Sequence, residues 1–355
     1  MKEKTPESLG FVMPAEWERH EATWIGWPHN RTDWPGKFIP IHWVYAEIVR
    51  KIALGEQVCI LVNSRKHEYQ VCRRLARVNV NWNNLQFFRF PTNRGWTRDF
   101  GPFFVRRGGR NREVAISRFK FNAWAKYKDW DKDARIAERA AKALDLKIFH
   151  ARVDGHDVVL EGGSIEINGK GTLITTEECL LDQKIQPRNP ALNREQLMRA
   201  MHEYLGVKNI LWLGRGIEGD DTHGHIDDIC RFVNSNTVVL CREKNPSDYN
   251  YRPLEENRER LEEMRLETGS KIHVVDLPMP APLYFDGRRL PASYANFYIS
   301  NAAVLVPTFN DANDRVALGI LAELFTDRPV IGIHAVDLVW GLGTLHCLTQ
   351  QQPAV

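Results

Sequence analysis

Two periodicities alternate along this chain. Apolar residues recur at three- and four-residue spacing in stretches that begin near residues 65, 133, 194, 254 and 311, the pattern of helices with one buried face. A short apolar run follows each of them. Residues 41–54 carry helical spacing as well, and the β-branched run 57–62 predicts a strand. Ser64 is placed to cap the helix that runs to about Arg77. Residues 23–28, 85–90, 103–105, 210–213 and 237–240 read as further strands. Residues 165–168 and 172–174 predict a hairpin turning on Asn168-Gly169. Asn193, with Gln196 three residues on, marks a helix start. The helix starts recur roughly every 60 residues, which points to internal repetition rather than two domains in line. The expectation is an α/β fold of five strand-strand-helix-strand units around a centre, one domain over residues 1–355.

Composition narrows the function. Lys and Arg number 48 against 45 Asp and Glu, a net charge of +3, too even for a nucleic-acid binder. No apolar run approaches the roughly 18 residues of a membrane span. The first residues, Met1 to Pro6, lack an apolar signal core. The six cysteines form no CxxC pair and no zinc-finger spacing, so free thiols in a reducing compartment, the cytoplasm, are expected. Five of the 11 tryptophans fall within the first 43 residues. Core packing accounts for most of them, and an aromatic wall for a flat cation is the other use.

Four segments hold polar groups that a fold alone does not call for. They are Trp96-Thr97-Arg98-Asp99-Phe100-Gly101-Pro102, Leu160-Glu161-Gly162-Gly163-Ser164, Gly219-Asp220-Asp221-Thr222-His223-Gly224-His225-Ile226-Asp227-Asp228, and the stretch from Gly341 to Pro353 around Cys347. Each has a plain structural use. Asp99 beside Arg98 suits a surface ion pair, Glu161 a hairpin end, Cys347 a buried core thiol. His223, His225 and an Asp suit a metal, but no partner is spaced to complete a ligand set. Taken together, a thiol, a His-x-Asp and isolated carboxylates read as chemistry.

Across nearly its whole length the chain resembles the agmatine deiminase family, related to bacterial peptidyl-arginine deiminases. The resemblance rests on Met13-Pro14-Ala15-Glu16-Trp17, Trp96-x-Arg98-Asp99-x-Gly101-Pro102, Phe121-Asn122-Ala123-Trp124, Leu160-Glu161-Gly162-Gly163-Ser164, Thr175 to Leu181, Arg188-Asn189-Pro190, Gly224-His225-Ile226-Asp227, Tyr294 to Tyr298 and His346-Cys347-x-Thr349-Gln350. Two positions depart from the family's pattern. Arg94 stands where an acid is common, and Ala125 where Gly is usual.

The resemblance implies a five-bladed αβ propeller of guanidine-modifying enzymes and a small guanidine substrate, with no metal or organic cofactor. It implies Cys347 as nucleophile, His225 as general acid and base, Asp99 and Asp227 as the carboxylates that grip the guanidinium, and Glu161 as the carboxylate that orients the histidine. Trp96 and Asn296 are expected on the substrate. Asp221, with Asp220 as fallback, is expected to meet the substrate's distal ammonium. Relatives are often homo-oligomers, so self-association is expected too. Carboxylates match the planar fork of a guanidinium, and a thiol needs a partner to take its proton.

Overall fold

The computed structural model describes residues 4–109 and 112–355. Among these residues the strands form five sheets of three or four strands, with two two-stranded ladders beside them. Four of the five share one build. Phe103–Arg107 pairs antiparallel with Glu113–Arg118; the helix Ile136–Leu144 then leads to Lys147–His150, which returns parallel. The same order recurs in Glu166–Ile167, Thr172–Thr176, helix Arg194–Leu205 and Asn209–Leu213. It recurs in Cys230–Asn234, Thr237–Arg242, helix Tyr251–Glu263 and His273–Pro278. It recurs again in Tyr298–Ile299, Val304–Thr308, helix Ala312–Leu324 and Val330–His334. A parallel partner needs a crossover, and each helix supplies one. The remaining sheet joins distant parts of the chain. His20–Gly26 pairs antiparallel with Thr349–Pro353 and parallel with Gln57–Leu61, which carries Leu85–Phe88 on its other edge.

Local chemistry explains most boundaries. Ser64 accepts from His67 N at 3.2 Å and starts the helix Arg65–Leu75. Asn193 and Gln196 bond each other's backbone at 2.9 Å, a capping box. The helix behind it buries Leu197, Ala200, Met201, Tyr204 and Leu205, one stripe at helical spacing. Phe38–Ile52 begins three residues before the apolar pattern suggests, because Pro40 sits in the first turn, where an N–H has no intrahelical partner to lose. The hairpin turns on Asn168-Gly169, as expected. The strands end at Ile167 and resume at Thr172, and Asn168 Oδ1 accepts from the backbone N–H of Lys170, Gly171 and Thr172. Trp24, Trp27 and Trp34 are core residues, while Trp43 is half exposed. All six cysteines are free. Among the described residues no helix is long and apolar enough to cross a membrane.

Candidate active site

The chemistry-bearing residues lie in the connections between sheets. The short helix Thr97–Phe100, which carries Asp99, links the first sheet to the second, and Glu161 links the second to the third. His225 and Asp227 precede the fourth, Asn296 precedes the fifth, and Cys347 sits in the turn Leu345–Leu348 that leads back to the first. All six residues are buried. Each junction thus contributes at least one functional group.

These groups converge. Cys347 Sγ lies 3.7 Å from Asp227 Oδ2, within reach of an S–H donor. His225 Nδ1 stands 3.8 Å from Asp99 Oδ1 and 4.0 Å from Asp227 Oδ1, and its Nε2 stands 3.6 Å from Glu161 Oε2. Those are ion-pair separations rather than hydrogen bonds, and among the described residues neither ring nitrogen has a hydrogen-bond partner. Arg188 Nε holds Glu161 at 3.1 Å. Asp99 Oδ1 accepts from Gly163 N at 3.1 Å and its Oδ2 from Trp124 Nε1 at 2.9 Å. Gly163 is irreplaceable by contact: a Cβ there would lie 2.6 Å from His225 Nδ1 and 2.9 Å from Asp227 Oδ2.

Burial and charge set the protonation states. Burial pushes Asp99 up to about 6, with Asp227 and Glu161 adding to the rise and His225 opposing it. Burial alone would lower His225, but the Asp99 charge, with Cys179 and Glu161, holds it well above the usual imidazole range. Burial raises Glu161, yet Arg188 and then His225 keep it below the usual carboxylate value. Burial and the negative charges of Asp227, Asp228 and Asp99 push the Cys347 thiol far up. The free site therefore holds a neutral thiol and a charged imidazole, the latter 3.8 Å from Asp99 and 4.0 Å from Asp227.

A cavity of about 190 Å³ leads to Cys347 and Asp99. Trp96, Trp124 and Trp340 line it, with Tyr127, Arg94, Asp33, Asp221 and Arg288 further along. Trp34 backs Trp96, ring centroids 5.2 Å apart. The aromatic wall thus comes mainly from outside the N-terminal tryptophan cluster. Asp221 lines the cavity as expected, but its oxygens already meet Lys126 Nζ and Tyr127 Oη at 2.6 Å each. Asp220 does not reach the cavity's lining; its carboxylate accepts from Thr222, Gly224 and His225 N and shapes the loop that presents His225. Asn296, expected on the substrate, lies behind the thiol: its Nδ2 is 3.1 Å from Cys347 Sγ and 3.0 Å from Asp228 Oδ1. An amide N–H aimed at sulfur favours thiolate.

Other residues depart from their sequence reading. Arg98 pairs with Glu16 at 3.2 Å inside the protein, not with Asp99 at the surface. His223 turns to Asp182 at 2.9 Å, so it does not join His225 around an ion. Glu161, Cys179 and His225 do bring three ligand-type atoms within 4.8 Å of one another, but the Arg188 cation already occupies that carboxylate. Sequence reasoning assigned no role to Arg188, Trp124, Glu16 or His346. All four lay in the motifs quoted, which was the available signal.

The family described as Porphyromonas-type peptidyl-arginine deiminase matches residues 12–353. An agmatine deiminase of Pseudomonas aeruginosa (strain LESB58) is 35% identical over 373 residues, covering 99% of this chain and 97% of the relative. The structure of an agmatine deiminase of Enterococcus faecalis superposes with a TM-score of 0.90 at 31% identity, covering 99% of this chain and 98% of that one. A cysteine-to-serine agmatine deiminase of C. jejuni, with substrate bound, gives a TM-score of 0.84 at 31% identity and 96% coverage of each chain.

Proposed function

The chain belongs to the Porphyromonas-type peptidyl-arginine deiminase family, and within it we propose that Cys347, His225, Asp99, Asp227 and Glu161 carry out the hydrolytic deimination of agmatine. The enzyme is a hydrolase of amidine C–N bonds, as its full-length agmatine deiminase relatives are. It converts agmatine to N-carbamoylputrescine and ammonia. One observation carries the site assignment: two buried carboxylates, Asp99 and Asp227, flank a thiol and an imidazolium at the end of an indole-lined cavity.

The steps follow from that arrangement. A guanidinium entering between Asp99 and Asp227 adds positive charge beside the thiol. That charge offsets the field that holds the Cys347 proton, which passes to solvent through the cavity and leaves a thiolate. The thiolate attacks the guanidinium carbon, held in place by the carboxylate fork. His225 gives its proton to the departing nitrogen, and ammonia leaves an S-alkylthiouronium on Cys347. The now neutral His225 takes a proton from water, which attacks the same carbon. Collapse expels the Cys347 sulfur and leaves the ureido product.

The proposed architecture is a single five-bladed propeller over residues 1–355. Its support is that every junction between the five sheets delivers a group to one site. The product is a carbamoyl derivative of a diamine, so polyamine synthesis in the cytoplasm is the proposed setting. The test is ammonia release from agmatine, with acid quench and intact mass measurement. A mass increase on Cys347 that vanishes in Cys347→Ser supports the assignment. Full turnover by Cys347→Ser would remove Cys347 as nucleophile.

A further inference from the structure

The histidine next to the nucleophile has a role outside the scheme above. His346 is 1% exposed. Its Nδ1 lies 2.6 Å from Asp227 Oδ2 and its Nε2 lies 2.8 Å from Glu16 Oε2. A neutral imidazole donates from one nitrogen only and would aim its other lone pair at a carboxylate; the doubly protonated ring donates from both. The surroundings ask for the same charge. Glu16, Asp227 and Glu166 bring three carboxylates, while Arg98 and Arg231 bring two guanidiniums, at 3.2 and 3.0 Å from Glu16, with Arg231 also 2.8 Å from Glu166. A third cation at His346 balances the cluster, and a buried unpaired charge would be expensive.

The ring also sorts the two oxygens of Asp227. Oδ2 is taken by His346, while Oδ1 is buried without a hydrogen-bond partner and sits 4.0 Å from His225 Nδ1. We propose that His346 is a positioning residue, an imidazolium clamped between Glu16 and Asp227 that fixes Asp227 Oδ2 and leaves Oδ1 to receive the guanidinium. The last clause rests on the deiminase reading; the charge and clamp do not. Burial would raise Asp227, and the hydrogen bond and charge of His346, with His225 and Arg231, bring it below its usual value. The carboxylate thereby stays ionised before substrate arrives.

Two measurements test this. In wild-type enzyme without substrate, the His346 ring nitrogens are read by 15N NMR, assigned through the pair His346-Cys347, since His-Cys occurs once in the chain. Both nitrogens protonated across neutral pH is the expected result; a neutral tautomer overturns the proposal, whether or not agmatine is the substrate. In His346→Gln the cation beside Asp227 is gone, so Asp227 titrates higher. The acid limb of kcat/KM then moves to higher pH, and KM for agmatine rises roughly tenfold with a smaller change in kcat. A wild-type KM with an unmoved acid limb also overturns it. If the variant does not fold, the wild-type spectrum alone decides. If wild-type enzyme ignores agmatine, the substrate reading fails while the ring measurement stands.

Discussion

Trp124 Nε1 donates to Asp99 Oδ2 at 2.9 Å, from the far side of the carboxylate that Gly163 N holds at 3.1 Å. The two donors fix the plane of Asp99 before any guanidinium arrives. A hydrogen bond to a charged group contributes about 1.5–3 kcal/mol. Trp124→Phe keeps the aromatic wall and removes the donor, so kcat/KM for agmatine should fall at least tenfold, mainly through KM. Steady-state ammonia release measures it, and a loss below twofold would show that Gly163 alone orients Asp99.

Trp124 reaches Asp99 because Ala123, Trp124 and Ala125 all have left-handed backbone, φ 51°, 58° and 53°. Asn122 Oδ1 accepts from Ala125 N at 3.0 Å and closes this turn. An L-residue there costs about 1–2 kcal/mol, which glycine would avoid. Ala125→Gly should therefore raise stability by about 0.5–1 kcal/mol, after the extra chain entropy of glycine is counted. Thermal unfolding of both proteins reads the difference. A lower melting temperature would mean that the Ala125 methyl packs usefully.

The pH profile follows from two groups. Substrate binding needs Asp99 ionised, and burial sets that group at about 6. Its charge is present above that value and lost below it, so kcat/KM should fall as pH drops through about 6. His225 must begin as imidazolium, and Glu161 contributes to holding its proton. Glu161→Gln removes that charge and lowers the His225 value, so the alkaline limb should move to lower pH; the acid limb should move slightly lower as well, because Glu161 adds to the rise of Asp99. An unchanged alkaline limb would count against the pairing, which at 3.6 Å is electrostatic rather than a hydrogen bond.

What the chain betrayed beforehand was local. The caps at Ser64 and Asn193 and the recurring helix starts depend on neighbours three or four residues away, and they stand in the structure. The hairpin at Asn168-Gly169 stands as well, and the fold adds that the Asn168 side chain closes it. In the candidate site, residue types and motifs pointed to segments that the fold brings together, but partners did not follow from adjacency. Arg98 sits beside Asp99 in sequence and bonds Glu16, 82 residues away. His346 reaches Glu16 across 330 residues. Contacts between loops of different units leave no period in a sequence, so the roles of Glu16, Arg188 and His346 needed the fold.

The same limit shapes the reading of the substrate's tail. Asp221 lines the cavity, yet Lys126 and Tyr127 already bond its oxygens, and Arg288 approaches to 3.9 Å. Arg94 is paired with Asp33 and Asp129 and lies 4.3 Å over the Tyr127 ring. A distal ammonium that reached Asp221 would compete with Lys126 for it. Lys126 is the weaker holder, because its side chain is 39% exposed and water replaces the pair readily. Lys126→Ala should therefore lower KM for agmatine about threefold, and Asp221→Asn should raise it about fivefold, near 1 kcal/mol for a partly screened contact. Butylguanidine, which has no ammonium, should respond to neither change. Opposite shifts for agmatine with a flat response for butylguanidine identify Asp221 as the tail contact. Equal losses for both substrates in Asp221→Asn would instead make the residue a support for Tyr127, and would leave Asp33, the acid that lines the cavity besides Asp99 and Asp221, as the group to test next.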